Sequence, residues 1–147
     1  MGGYTVKVRE LMSKPVIRIH ADEPVSVAAR TLTHYNIGVL PVCTAEGKLC
    51  GMLTDRDIVT RCLAAERLPG NTRVREIMTG NVVAAAPDMD TGAAAALMGK
   101  AQVRRLPVLE GGKLCGMVTL GDLSQKEESV YDATDALAEI TGNVSVR

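Results

Sequence analysis

The chain has 147 residues, 46% of them apolar, with 17 basic residues against 17 acidic ones, three Tyr and no Phe or Trp. That length allows one compact unit or two very small ones packed together, with a core of Val, Leu, Ile, Met and Ala. Zero net charge excludes a whole-molecule field for nucleic acid or an anionic membrane, and the missing Phe and Trp exclude recognition by stacking on them.

Residues 1–7, "MGGYTVK", form a lead-in without the apolar middle of a secretory signal, and no apolar run approaches the ~20 residues that span a bilayer. A cytoplasmic location without membrane association is therefore expected. Gly2 follows the initial Met, but Val6 stands where a myristoylation signal favours Ser or Thr.

The first repeat, residues 8–64, opens with "VRELM" (8–12) as a short helical turn and "VIRI" (16–19) as an extended run. "PVSVAARTLTHYN" (24–36) has Pro at its start and apolar residues at helical spacing, so a helix is predicted. "GVLPV" (38–42) reads as a strand whose internal Pro predicts a sheet edge or a bulge. The turn "TAEGK" (44–48) leads into the strand "LCGMLT" (49–54), and "DRDIVTRCLA" (55–64) closes the copy as a helix.

"AERLPGNTR" (65–73) reads as the linker, after which residues 74–125 write the pattern again. "VREIM" (74–78), "VVAA" (82–85), "DMDTGAAAALMGKA" (88–101), "RRLPV" (104–108), "KLCGMVT" (113–119) and "LGDLSQKEE" (120–128) match the elements of the first copy in order. Residues 8–43 align without a gap on 74–109 with 11 identities in 36 positions, and 48–58 on 113–123 with 7 in 11, so the chain is internally duplicated. Each copy reads as β-α-β-β-α, too small to be comfortable alone. Residues 126–147 are a polar tail in which "DATDALAEI" (132–140) predicts a short helix.

The four cysteines, Cys43, Cys50, Cys62 and Cys115, have no CxxC spacing, and His20 and His34 lie far from the rest of any ligand set, so no metal site is expected. Cys50, Cys62 and Cys115 read as small buried hydrophobes. Cys43 and Cys50 flank a hairpin turn and could pair under oxidation, whereas a reducing cytosol keeps thiols.

The repeated "GMLTDRDI" (51–58) and "GMVTLGDL" (116–123) keep Gly, Met, Thr and Asp in register. Two explanations stand for the Thr and Asp. Thr54 with Asp57, and Thr119 with Asp122, fit a capping box. Equally, a carboxylate where a strand opens into a helix can accept hydrogen bonds from a ribose diol, while free amides suit a phosphate. The second copy adds cationic charge in Arg104 and Arg105, where the first has Gly38 and Val39.

"VRELM … GVLPV … GMLTDRDI" and "VREIM … RRLPV … GMVTLGDL" together resemble a tandem pair of CBS domains, named for cystathionine beta-synthase, over about residues 8–125. The resemblance implies an α/β (α+β) fold of two β-α-β-β-α repeats packed sheet to sheet with pseudo-twofold symmetry and two related clefts. It also implies an adenosine-containing ligand, such as AMP, ADP, ATP or S-adenosylmethionine, and a homodimer. By that resemblance cleft A takes Thr54, Arg56 and Asp57 with Thr79, Val82, Val83, Val103, Arg104, Arg105, Leu106 and Pro107. Cleft B takes Thr119 and Asp122 with Ser13, Val16, Ile17, Ile37, Val39, Leu40 and Pro41.

With up to three arginines near its phosphate end, cleft A is expected to bind AMP, ADP or ATP, and cleft B to stay empty or take a less charged adenosyl ligand. No nucleophile, base and oxyanion site can be assembled, so catalysis is not expected. The sequence therefore reads as a regulatory adenosine-ligand sensor acting on a separate, unidentified protein. The alternative is a dimeric interaction scaffold with vestigial clefts, and nucleic-acid binding is disfavoured.

Overall fold

The computed structural model describes residues 5–14 and 16–124. The chain divides into two compact units. The Asp57 unit holds Ile17–Val82 and Gly112–Leu114; the Asp122 unit holds Met1–Val16, Val83–Gly111 and Cys115–Arg147. These boundaries cut across the sequence repeats. The leading turn of each copy belongs to the compact unit of the other.

In the Asp57 unit, β1 (Ile19–His20), β2 (Val39–Cys43) and β3 (Leu49–Thr54) form a sheet of order β1-β2-β3, parallel between β1 and β2 and antiparallel between β2 and β3. Helix α2 (Val25–Tyr35) turns Val25, Ala28 and Leu32 inward at helical spacing. It ends at Asn36 in the left-handed region (φ 53), a conformation Asn tolerates better than most side chains. The core joins Val25, Leu32, Leu40, Val42, Leu53 and Ile58 with Val74 and Ile77, which come from the second copy.

Val74 N donates to Glu23 O (2.9 Å), Arg75 N donates to Ala21 O (2.9 Å), and Met52 and Thr79 exchange two backbone hydrogen bonds of 2.9 Å each. Gly51 is what lets this segment lie against β3. A Cβ there would meet Met78 Sδ at 2.5 Å and the Thr79 carbonyl at 2.9 Å.

In the Asp122 unit, β4 (Arg105–Glu110) pairs with β5 (Lys113–Thr119), of which Cys115–Thr119 belong to this unit, and a parallel bridge joins Ala85 to Val108. Helix α4 (Thr91–Ala101) buries Ala94, Ala95 and Met98 against Leu106, Val108, Val118 and Leu123. Val8 of α1 (Val8–Leu11), from the first copy, is fully buried in this core. Its amide donates to Met89 O (2.9 Å) and that of Arg9 to Pro87 O (3.0 Å), while Ser13 and Met117 exchange bonds of 2.7 and 3.2 Å. Met12 lies over Gly116 as Met78 lies over Gly51.

Pro41 requires a correction to the edge expectation, because β2 is the middle strand. It is tolerated because β1 pairs only with Val42 and Cys43, so no neighbour asks for the amide that Pro41 lacks. The register irregularity lies one residue on, between Val42 and Cys43. The extended runs are also shorter than their sequence suggests: of 16–19 and 82–85, only Ile19–His20 and the bridge at Ala85 pair. The closing helix of the first copy is α3 (Asp55–Asp57) continued as a π-helix, Ile58–Leu63, and that of the second is α5 (Leu120–Leu123), with 125–128 of the expected helix outside the described residues. The expected tail helix at 132–140 lies outside the described residues.

Candidate functional site

Strand β3 runs directly into α3, and the junction is a closed capping box. Thr54 Oγ1 accepts from Asp57 N (3.0 Å), and Asp57 Oδ2 accepts from Thr54 N (3.0 Å). The second carboxylate oxygen, Oδ1, takes no hydrogen bond among the described residues; Arg61 Nε stands 3.8 Å from it. The Asp57 side chain is 14% exposed. Cap and ribose acceptor are therefore compatible, because one carboxylate oxygen serves the cap and the other remains open.

Within the same unit Thr79 pairs with Met52 beside this junction, and the Arg56 side chain is exposed. Thr54, Arg56, Asp57, Thr79 and Val82 of the expected cleft A thus all belong to the Asp57 unit. The remaining members, Val83, Val103, Arg104, Arg105, Leu106 and Pro107, belong to the Asp122 unit.

The Asp122 unit repeats the junction: Thr119 N donates to Asp122 Oδ2 (2.8 Å) and Asp122 N to Thr119 Oγ1 (3.0 Å). Leu120 N donates to Arg104 O (2.8 Å), as Asp55 N donates to Gly38 O (3.1 Å) in the other unit. Arg104 and Arg105 are exposed, and neither makes an ion pair among the described residues. Of the expected cleft B residues, Ser13, Val16, Thr119 and Asp122 share this unit, while Ile17, Ile37, Val39, Leu40 and Pro41 belong to the Asp57 unit.

Arg61 escaped the sequence reading. Its signal was the i,i+4 spacing to Asp57, which on a helix brings a base beside an acid. Its NH1 donates to the carbonyls of Ile77 (3.2 Å) and Met78 (3.3 Å).

All four cysteines are free thiols. Burial pushes the Cys43, Cys50 and Cys115 thiols above their ordinary value, the nearby Arg18 opposing the effect at Cys43. Cys50 Sγ donates to Val42 O and Cys115 Sγ to Val108 O, both at 3.4 Å, so the two equivalent strand cysteines have equivalent packing roles. Among the described residues no group of three or more His, Cys, Asp or Glu could hold a metal. No helix among them is long and apolar enough to cross a membrane. A cavity of ≈ 260 Å³ in the Asp57 unit is lined by Arg18, Ile19, His20, Cys43, Thr44, Ala45 and Gly47, none of them an expected site residue.

Comparison with known proteins agrees with the duplicated pattern. The CBS domain family model matches residues 8–64 and again 74–129. CBS domain-containing protein YhcV of Bacillus subtilis is 37% identical over 134 residues, covering 91% of this chain and 94% of that protein. Hypoxic response protein 1 of Mycobacterium tuberculosis is 32% identical over 117 residues, covering 80% and 82%. Among solved structures, the CBS domain pair of protein MJ0100 in complex with 5-methylthioadenosine and S-adenosyl-L-methionine has a TM-score of 0.72 at 32% identity, covering 83% of this chain and 95% of that one. Hypoxic Response Protein I with two coordinated zinc ions has a TM-score of 0.75 at 32% identity, covering 82% and 98%. Two family matches in tandem, over the same residues that carry the duplicated Gly-Met-x-Thr-x-x-Asp junctions, establish that this chain belongs to the CBS domain family as a tandem pair.

Proposed function

We propose that the chain binds an adenosine-containing ligand and signals its presence to a separate protein. The observation that carries this reading is the open Oδ1 of Asp57, held beside a cation at the end of β3 while Oδ2 is fixed by the Thr54 amide. A carboxylate so oriented can accept from a ribose hydroxyl without reorganising its own turn. The adenosyl ligands of the MJ0100 pair support this ligand class.

The finer assignment is that Thr54, Asp57 and Thr79 contact the ribose, that Arg56, Arg104 and Arg105 read an anionic tail, and that AMP, ADP or ATP is preferred. The Arg104 carbonyl is bonded to the turn that carries Asp122, which favours testing the guanidinium pair against both acids. A double-mutant cycle with Asp57→Asn or Asp122→Asn and Arg104→Ala, read by ATP titration calorimetry, tells which acid couples to the arginine. Coupling to Asp57 supports the assignment; coupling to Asp122 alone moves the nucleotide to the second junction. Binding at neither, with no thermal shift in any adenosyl compound, removes the sensor reading.

A second reading, a homodimer that docks on a partner, is favoured by one observation. Val59 and Leu63 on the π-helix are 55% and 53% exposed, and Leu68 is 66% exposed. Sedimentation of the purified protein, with and without Val59→Asp, tests it: a dimer dissociated by the charge supports this surface, and a monomer at all concentrations defeats it.

A further inference from the structure

The hydrogen-bond ladder between β3 and the segment 77–79 stops early, and the reason lies in the candidate site. Met52 and Thr79 form a hydrogen-bonded antiparallel pair. The next such pair, two residues along each chain, is Thr54 with Ile77. It does not form. The Thr54 amide is taken by Asp57 Oδ2 and the Ile77 amide by Val74 O. The Ile77 carbonyl therefore loses its ladder partner, and a backbone acceptor left unpaired is costly.

Arg61 supplies the missing donor. Its NH1 bonds the carbonyls of Ile77 and Met78, while its Nε keeps an ion-pair distance of 3.8 Å to the open Asp57 Oδ1. One planar guanidinium thus ties the turn bearing the acid to a backbone segment contributed by the other repeat. From this geometry we infer that Arg61 is the positioning residue of the Asp57 junction. It replaces the ladder bond that the capping box removes, and so sets the distance between Asp57 and Thr79 while leaving Oδ1 open to a ligand hydroxyl. Lysine could hold one carbonyl or the carboxylate, but its point charge cannot span all three groups as the fork does. The inference deepens the proposed adenosyl site and rests on it for its binding arm.

The test uses the full chain with Arg61→Ala, Arg61→Lys and Asp57→Asn, titrated with ATP and with S-adenosyl-L-methionine well below the melting temperature. Amide hydrogen exchange at Met52 and Thr79 is followed in parallel. Arg61→Ala is expected to weaken binding about tenfold, with partial rescue by Arg61→Lys, and to speed exchange at Met52 and Thr79 more than at Leu40 and Leu53. Wild-type affinity in Arg61→Ala overturns the positioning role, even if its melting temperature falls, because a merely structural arginine would move stability alone. Should wild type bind neither probe, the adenosyl reading fails by itself. Exchange then decides the clamp, and unchanged rates at Met52 and Thr79 overturn it.

Discussion

Thr54 and Asp57 satisfy one another twice, hydroxyl to amide and carboxylate to amide, both at 3.0 Å, at the point where β3 becomes helix. A fold element and a candidate binding group are here the same pair of side chains. Replacing Thr54 by Val removes one capping bond and should cost about 1 kcal/mol of stability. Asp57→Asn keeps an acceptor oxygen for the Thr54 amide and should cost less, while removing the charge offered to a ligand. Urea denaturation of both variants checks the order; an Asn variant less stable than the Val variant would mean that the charge itself, rather than the cap, supports the turn.

The glycines at 51 and 116 should differ in their tolerance of a methyl group. At Gly51 the new Cβ meets a backbone carbonyl, that of Thr79, at 2.9 Å, which cannot yield without shifting the 77–79 segment. At Gly116 its three nearest neighbours are all atoms of the flexible Met12 side chain. Gly51→Ala is therefore expected to destabilise by about 1–3 kcal/mol and Gly116→Ala by less. Thermal melts of the pair decide it, and equal losses would contradict the distinction.

The exchange of leading turns predicts where a core mutation is felt. Val74 belongs to the second repeat in sequence but is fully buried with Leu40, Val42 and Leu53 of the first. Val74→Ala should cost about 2 kcal/mol and speed amide exchange chiefly in residues 39–54. Faster exchange confined to residues 105–119 would contradict the exchanged arrangement.

Thiol chemistry follows from burial. Cys43, Cys50 and Cys115 have their proton-bound forms favoured in the folded chain, so at pH 8 they should react with a thiol reagent more slowly than in the urea-unfolded chain. A group whose folded pKa is raised contributes stability that is intact below its unfolded value, ordinarily 9.0 here, and that is lost as pH rises through the raised one. Stability should therefore decline on the alkaline side of that value, and less so in Cys50→Ser. Native labelling as fast as unfolded labelling at all three thiols would contradict this.

Local pattern carried most of the element order. The apolar spacing of Val25, Ala28 and Leu32 marks α2 as surely as it does in the structure, and the Thr-x-x-Asp spacing marks both caps. Partnership was not legible, because periodicity says which face of a segment is apolar and not which core receives it. Val8 and Val74 look alike in either repeat, and only the folded chain shows each buried in the other copy's unit. Of the two alternatives for Pro41, only the sheet edge fails, for a similar reason: its tolerance in a middle strand depends on how far β1 extends, a length set by pairing. The i,i+4 spacing of Arg61 to Asp57 was legible, but its bonds to the Ile77 and Met78 carbonyls were not, because main-chain acceptors leave no mark in sequence. The duplicated Gly was legible as a repeat but not as the space that Met78 and Met12 occupy.

The central claim is that Asp57 receives the sugar of an adenosyl ligand. Its most direct measurement is calorimetric titration of wild type and Asp57→Asn with ATP, AMP and S-adenosyl-L-methionine, each protein first shown to be folded. Wild type is expected to bind at least one of them saturably, with a loss of tenfold or more in Asp57→Asn. Undiminished affinity in that variant would contradict the claim.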